Sequence, residues 1–187
     1  MKYDFIIIGS GIIGLTLAFK LQKKFINSKI LILEKEKNST EHGSGRNSGV
    51  IHSGIYYEPG SLRATLGVQG GRELKEYIKS KRLWIDECGK ILVPTSQNSY
   101  ENTEQLFTRG IENGVVVKKL SGEQISNLEP NINNKYNIGL HVPFTSIADP
   151  KEVSKSLIGD LIDLGVEIQY QKAVTKIEED GDRKSVV

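Results

Sequence analysis

The sequence predicts an α/β fold: a domain built on a parallel sheet, interrupted by a smaller α+β domain, with the returning part of the first domain cut short. Three observations predict it. The chain opens on Tyr3-Asp4-Phe5-Ile6-Ile7-Ile8, a near-continuous apolar run of the kind that a strand covered on both faces needs. A glycine-rich turn, an apolar-periodic stretch and a second run, Lys29-Ile30-Leu31-Ile32-Leu33, then follow in the strand–helix–strand succession of a βαβ unit. From Trp84 onward the runs become short and alternate with helix-like stretches, which reads as a second domain inserted in the first.

The elements follow in order. Residues 3–8 form the first strand and a helix of about four turns reaches Phe25. Leu15, Ala18, Phe19 and Leu21 lie on its buried side, and Lys20, Gln22, Lys23 and Lys24 face water or the C-terminal end of the dipole. Residues 29–33 form the second buried strand, ending at Glu34. The loop 38–54 is too long for a plain connector and is a candidate functional loop. Ser61 caps a second helix to about Lys81, with Leu62, Leu66, Leu74, Tyr77 and Ile78 inward. Strand-like runs at 91–94, 115–117 and 138–142 alternate with helices at 99–113 and 121–128. Asp149 caps a further helix with Pro150 in its favoured first position. Residues 166–170 and 173–177 return to strands. After the turn at 179–182, Arg183-Lys184-Ser185-Val186-Val187 opens a strand and the sequence stops, which suggests a fragment of a longer protein. The expected division is 1–82, 83–147 and 148–187.

Composition excludes several function classes. The 187 residues carry 25 Lys and Arg against 23 Asp and Glu, a net charge of +2, without the clustered basic excess of a nucleic-acid binder. A single cysteine, Cys88, forms no internal disulfide, which fits a reducing compartment. No run approaches a transmembrane segment, and residues 5–8 lack the leader and cleavage site of a signal peptide. A cytoplasmic protein is expected, with peripheral membrane attachment open. Three scattered histidines and one cysteine suggest no metal site. Cys88 reads as a packed residue at a strand start, Trp84 as core or interface packing, His42 as loop surface and His141 as a structural strand histidine.

Gly9-x-Gly11-x-x-Gly14 follows a strand and opens a helix, and Glu34 stands 20 residues beyond Gly14. That context makes it a dinucleotide fingerprint. Gly9 permits the turn, Gly11 lets backbone approach a pyrophosphate, and Gly14 lets helix and strand pack. The phosphates then meet free N–H groups and the positive dipole end around Ile12. Glu34 accepts from ribose hydroxyls and repels a 2′-phosphate, so FAD or NAD is indicated and NADP disfavoured.

The loop after Glu34 chooses between them. From His42-Gly43-Ser44-Gly45-Arg46-Asn47-Ser48-Gly49 through Val50-Ile51-His52-Ser53-Gly54-Ile55-Tyr56-Tyr57 to Glu58-Pro59-Gly60-Ser61-Leu62-Arg63-Ala64, the chain resembles the L-2-hydroxyglutarate oxidase/dehydrogenase family of D-amino-acid-oxidase-like flavoproteins. Cys88-Gly89-Lys90, residues 109–115, Glu129-Pro130-Asn131 and Ser146-Ile147-Ala148-Asp149 extend the likeness. Gly43, Ser44, Arg46, Arg63 and Ala148 depart from the family pattern, which has Gln, Thr, His, Lys and Val there. The resemblance implies a Rossmann-like FAD-binding domain interrupted by an antiparallel substrate-binding domain. It implies that Gly9, Gly11, Ile12 and Gly14 hold the pyrophosphate, that Glu34 and Lys35 hold the adenosine ribose, that Arg46, Asn47, Ser48 and Gly49 lie against the cofactor, and that backbone near Val174 meets the adenine. Arg46 is also readable as an exposed charge.

The implied activity is oxidation of a 2-hydroxy acid, L-2-hydroxyglutarate to 2-oxoglutarate, with hydride transfer to flavin N5 and oxygen or a quinone as electron acceptor. His52 is the candidate base because imidazole titrates near the working pH. A backbone-bonded histidine, or a base from outside this sequence, is the alternative. Tyr57 is the candidate substrate hydroxyl, and a second carboxylate calls for an Arg or Lys that nothing singles out. Amino acids, secondary amines and glycerol 3-phosphate are alternative substrates, and a non-catalytic nucleotide-binding remnant is the reading from a different class.

Overall fold

The computed structural model describes residues 2–180 and 183–186. In chain order the elements begin with strand β1 (Phe5–Ile8), helix α1 (Ile12–Lys24), β2 (Ile30–Leu33) and a 3-10 turn (Gly43–Gly45). Next come β3 (Val50–Ile51), α2 (Leu62–Ser80), β4 (Ile85–Asp86) and β5 (Ile91–Leu92). They are followed by α3 (Gln97–Glu101), α4 (Thr103–Glu112), β6 (Lys118–Ser121), α5 (Gly122–Leu128) and β7 (Ile138–His141). The chain ends with β8 (Ser146–Ala148), α6 (Pro150–Asp163), β9 (Glu167–Gln169), β10 (Ile177–Asp180) and β11 (Arg183–Val186). Two compact units result: residues 1–47 with 149–187, and residues 48–148. Residues 48–82 therefore pack with the second unit.

The first unit is the α/β part. Its sheet runs β1-β2-β9 with both pairings parallel. The central strand β2 is buried along its whole length, as a run of Ile and Leu between two neighbours must be. β1 differs from expectation. It pairs with β2 alone among the described residues, so Ile7 is buried but Ile8 is 53% exposed. Coverage on both faces needs neighbours that an edge strand lacks. Helices α1 and α6 pack together, and Leu15 and Ala18 of α1 and Val153, Leu157 and Leu161 of α6 are buried. Asp149 Oδ1 accepts from the Lys151 and Glu152 amides and caps α6, with Pro150 at its start.

Gln22 corrects the expected polar face of α1. It is buried, and its amide donates to the carbonyls of Ile26 at 3.0 Å and Ser28 at 3.2 Å. A side-chain amide thereby satisfies carbonyls just beyond the helix end. β10 and β11 pair antiparallel, while the turn residues Gly181 and Asp182, and Val187, lie outside the described residues. The strand expected at 173–177 begins only at Ile177.

The second unit carries two antiparallel sheets, β3-β8-β4 and β5-β7-β6. Its core gathers Ile55, Val115, Val117, Leu140 and Val142. Residues 115–117 alternate inward and outward as a strand would, but the ladder starts only at Lys118. The helix expected over 99–113 is two helices meeting at Asn102, the first opened by a reciprocal Ser96–Ser99 capping box. Trp84 and Cys88 are exposed rather than packed.

α2 turns a different face inward from the one its leucines suggest. Ser61 caps it as expected, its Oγ accepting from the Ala64 amide at 3.1 Å. Leu62 and Leu66, however, are 77% and 61% exposed, and Ala64, Gly71, Lys75 and Ile78 are buried. Small residues win because backbone and ring come close: a Cβ on Gly71 would stand 3.3 Å from both the His52 carbonyl and the Phe144 ring. The Lys75 ammonium is satisfied by the Phe144 carbonyl at 3.1 Å, the Phe144 ring face at 4.2 Å and Glu87 at 2.7 Å.

Lys75 and Lys79 each hold one Glu87 oxygen and pull its carboxyl down to about 2 from an ordinary 4.5. A depressed carboxylate contributes stability that is present above its unfolded value and lost as pH falls through its folded value. Thermal melts of the wild type should therefore fall between pH 4.5 and about 2. Glu87→Gln should flatten that limb and lower the midpoint at neutral pH.

Candidate functional site

In the first unit the ends of β1 and β2 are tied together around one carboxylate. Gly9 turns the chain with φ +96°, and its amide donates to the Leu33 carbonyl at 2.8 Å. Glu34, one residue past β2, is buried. Its Oε2 accepts from the Ser10 amide and hydroxyl, both at 2.7 Å, and its Oε1 accepts from the Glu36 amide at 3.0 Å. Burial alone would raise the Glu34 carboxyl. The hydrogen bonds from Glu36, Ser10 and the Lys35 backbone overcome that and hold it below its ordinary value.

The three glycines do different work. Gly11 has φ −70° and ψ 173°, which any residue adopts, so its need is for space rather than for backbone freedom. A Cβ there would meet only the Ser44 hydroxyl, at 3.1 Å. A Cβ on Gly14 would stand 2.0 Å from the Gly9 carbonyl oxygen, so helix and turn touch at backbone distance. Ser44, in the 3-10 turn, accepts from the Ile12 amide at 3.0 Å and takes one of the donors at the start of α1.

A cavity of about 360 Å³ opens at this end of the sheet, lined by Gly9, Gly11, Glu34, Lys35, Ser44 and Val174 among others. The segment carrying Val174 is anchored by the Gln171 and Lys172 amides on the carbonyls of Glu36 and Glu34. Gly9, Gly11, Glu34, Lys35 and Val174 thus converge from three stretches of sequence on one hollow, whereas Ile12 and Gly14 do not line it. Arg46 is exposed, and the Asn47 amide folds back onto the Gly43 and Ser44 carbonyls; neither lines this cavity. Ser48 is exposed and Gly49 has φ +70°; both belong to the second unit. His42 bonds Glu36 at 2.9 Å and holds that carboxyl below its ordinary value.

In the second unit a smaller cavity of about 120 Å³ brings together His52, Tyr56, Tyr57, Lys90 and Thr145. The tyrosines lie in a turn after β3, so both reach the same hollow. The Tyr57 ring packs against Gly67 of α2, where a Cβ would come within 2.9 Å. The Lys90 ammonium donates to the Tyr56 hydroxyl at 2.9 Å. His52 is exposed, and its imidazole has no hydrogen-bond partner among the described residues.

Sequence reasoning missed Ser10, Ser44, Lys90 and Thr145. Ser44 was findable, because serine keeps the hydroxyl of the family's threonine. Lys90 lay in a stretch that carried the resemblance, whereas Thr145 left no signal. Among the described residues no helix is long and apolar enough to cross a membrane, and no group of His, Cys, Asp or Glu is gathered as for a metal.

A family model described as FAD dependent oxidoreductase matches residues 4–187. The chain is 46% identical over 161 residues to the mitochondrial L-2-hydroxyglutarate dehydrogenase of Dictyostelium discoideum, covering 85% of this chain and 36% of that protein. It is 37% identical over 177 residues to L-2-hydroxyglutarate dehydrogenase of Escherichia coli K12, covering 95% of this chain and 42% of that one. The chain therefore spans less than half the length of these curated relatives. Among solved structures it resembles an L-α-glycerophosphate oxidase from Mycoplasma pneumoniae with FAD bound, at TM-score 0.89 and 30% identity, over 100% of this chain and 50% of that one. Glycine oxidase from Geobacillus kaustophilus shares the fold at TM-score 0.83 and 18% identity, over 98% of this chain and 50% of that one.

The first cavity suits FAD. A Cβ on Gly11 would meet only the Ser44 hydroxyl and no backbone, and a buried acceptor stands at the end of β2. Two alanine substitutions should separate binding from folding. Gly11→Ala should leave the thermal midpoint nearly unchanged yet weaken FAD binding tenfold or more, by about 1.4 kcal/mol or more. Gly14→Ala should destabilise the fold by about 1–3 kcal/mol through overpacking against backbone. Fluorescence titration and thermal melts read the two effects. Matched by the family model along residues 4–187, with a glycine turn and buried acidic acceptor that fit the cofactor, this chain belongs to the FAD dependent oxidoreductase family.

Proposed function

We propose that the chain serves the FAD-dependent oxidation of a 2-hydroxy acid, L-2-hydroxyglutarate to 2-oxoglutarate. The observation that carries this reading is the hollow of His52, Tyr56, Tyr57 and Lys90, a base, hydroxyls and a cation within one small cavity. It is built mostly from residues 47–64, the stretch of closest resemblance to the 2-hydroxyglutarate enzymes. Identity with relatives that bear that name supports it.

The reaction removes the hydroxyl proton and the carbon-bound hydride of the substrate, and FAD when bound supplies the two-electron acceptor at N5. With FAD bound, Gly9, Gly11, Ile12 and Gly14 would hold the pyrophosphate, Glu34 and Lys35 the adenosine ribose, and Val174 the adenine edge. His52 takes the hydroxyl proton, and Tyr57 orients the substrate through its phenol. Oxygen or a quinone would be the electron acceptor.

A second reading, oxidation of glycerol 3-phosphate, is favoured by the likeness to the Mycoplasma pneumoniae oxidase. Anaerobic mixing of the FAD-loaded protein with each compound separates the two. Bleaching of the flavin band by L-2-hydroxyglutarate, and not by glycerol 3-phosphate, is the expected outcome. His52→Asn should slow flavin reduction by about 10²–10⁴-fold, the usual range for loss of a positioned base, with FAD affinity within about twofold of wild type.

A further inference from the structure

Resting on the 2-hydroxy-acid reading above, we propose that Lys90 is the residue that binds the second carboxylate of a dicarboxylic substrate, with the hydroxyls of Tyr56 and Thr145 as neutral donors beside it. All three residues line the cavity of about 120 Å³ that His52 also lines.

The backbone makes this corner rigid. The Lys90 amide donates to the Val142 carbonyl at 3.1 Å, and the Val142 amide returns a bond to the Lys90 carbonyl at 2.8 Å. One residue earlier, the Gly89 amide donates to the Thr145 carbonyl at 3.0 Å. Gly89 takes φ +72°, and a Cβ on it would stand 2.8 Å from His141 Nε2, so this turn is shaped for close packing. The strand entry that carries Lys90 and the loop that carries Thr145 are thus fastened together before any ligand arrives.

Two of these side chains lack a full set of partners; elsewhere in the unit the Asn134 Oδ1 is likewise buried without one among the described residues. Lys75 and Lys79 share Glu87, Arg109 pairs with Glu58, and Lys119 pairs with Glu104. Lys90 has no carboxylate partner among the described residues. Its ammonium lies 2.9 Å from the Tyr56 hydroxyl and 4.5 Å from the centre of that ring. The nearest acidic residue in sequence, Glu87, has both oxygens engaged by other lysines. Thr145 is 4% exposed, and its Oγ1 is buried with no hydrogen-bond partner. Such a hydroxyl costs stability unless something arrives to pair with it. The Tyr56 hydroxyl accepts from Lys90, so its own proton points elsewhere for donation. One uncompensated ammonium with two hydroxyl donors matches a singly charged carboxylate, and a phosphate dianion would leave a charge unmatched.

The test uses the FAD-loaded protein with unreactive glutarate and its monocarboxylate counterpart, pentanoate, measured by titration calorimetry. Lys90→Met should weaken glutarate about 100-fold and pentanoate less than about threefold, since a lost charge-assisted pair removes only the contact that glutarate alone makes. Lys90→Arg should recover glutarate to within about tenfold of wild type. KM for L-2-hydroxyglutarate should rise in Lys90→Met with kcat changed far less. Thr145→Val should weaken glutarate several-fold while keeping or raising the melting temperature of the ligand-free protein, because an orphaned hydroxyl is replaced by a methyl of the same shape.

Equal loss of both acids in Lys90→Met, an unchanged preference for glutarate, or a lowered melting temperature in Thr145→Val would overturn the proposal. The reaction reading fails separately. A wild type that selects glutarate through Lys90 but is not bleached by L-2-hydroxyglutarate keeps the subsite and loses the reaction. A wild type that is bleached, with selectivity indifferent to Lys90, keeps the reaction and loses the subsite.

Discussion

The contact between Gly14 and the Gly9 carbonyl is the constraint on which the first unit depends. With a Cβ position only 2.0 Å from that oxygen, no side chain can stand between the start of α1 and the turn leaving β1. The helix is therefore seated with its N-terminal amides at the end of the sheet, where their partial positive charge would favour an anionic ligand. Glu34 completes the arrangement from β2. Ser10 and Glu36 fix its carboxylate in an ionised state inside the protein, so the acceptor is oriented before a ribose hydroxyl could reach it. The hollow is a consequence of packing that the fold needs in any case, and this is why stability and cofactor grip are expected to separate at Gly11 but not at Gly14.

The second unit solves a different problem. It draws α2 against loop backbone by giving the inward face small residues and one lysine, then neutralises that lysine with Glu87, a carbonyl and an aromatic face. Lys75 and Lys79 are paired through Glu87, while Lys90 without a carboxylate and the unpartnered Thr145 hydroxyl share the smaller cavity. A fold at its stability optimum would not keep a buried Thr145 hydroxyl without a partner. On the proposed reading, that hydroxyl is kept for a ligand at a small cost in stability.

Sequence made the α/β order, the glycine turn, Glu34 and the capped starts of α2 and α6 legible, because each follows from local rules: strand period, absence of a Cβ, and side-chain capping. It misled where tertiary context outweighs local pattern. The leucines of α2 suggested a face that the structure exposes, since Ala64 and Gly71 permit a closer approach than leucine would. The uniform apolarity of β1 suggested two covered faces, but coverage depends on a neighbour that the strand itself does not encode. Ser44 and Lys90 stood inside stretches already recognised as informative, yet only folding reveals that one meets the Ile12 amide and the other the Tyr56 ring. Thr145 was illegible because nothing local separates an orphaned threonine from a satisfied one.

The central claim is that the first unit alone provides the grip for the dinucleotide. Amide NMR of the protein titrated with ADP, the half of FAD without the flavin, tests it most directly. Gly9, Gly11, Ile12, Ser44 and Val174 should shift together along one saturable curve while Tyr56 and Lys90 stay in place. Shifts centred on the 120 Å³ cavity of the second unit, or none around α1's first turn at saturating ADP, would contradict it.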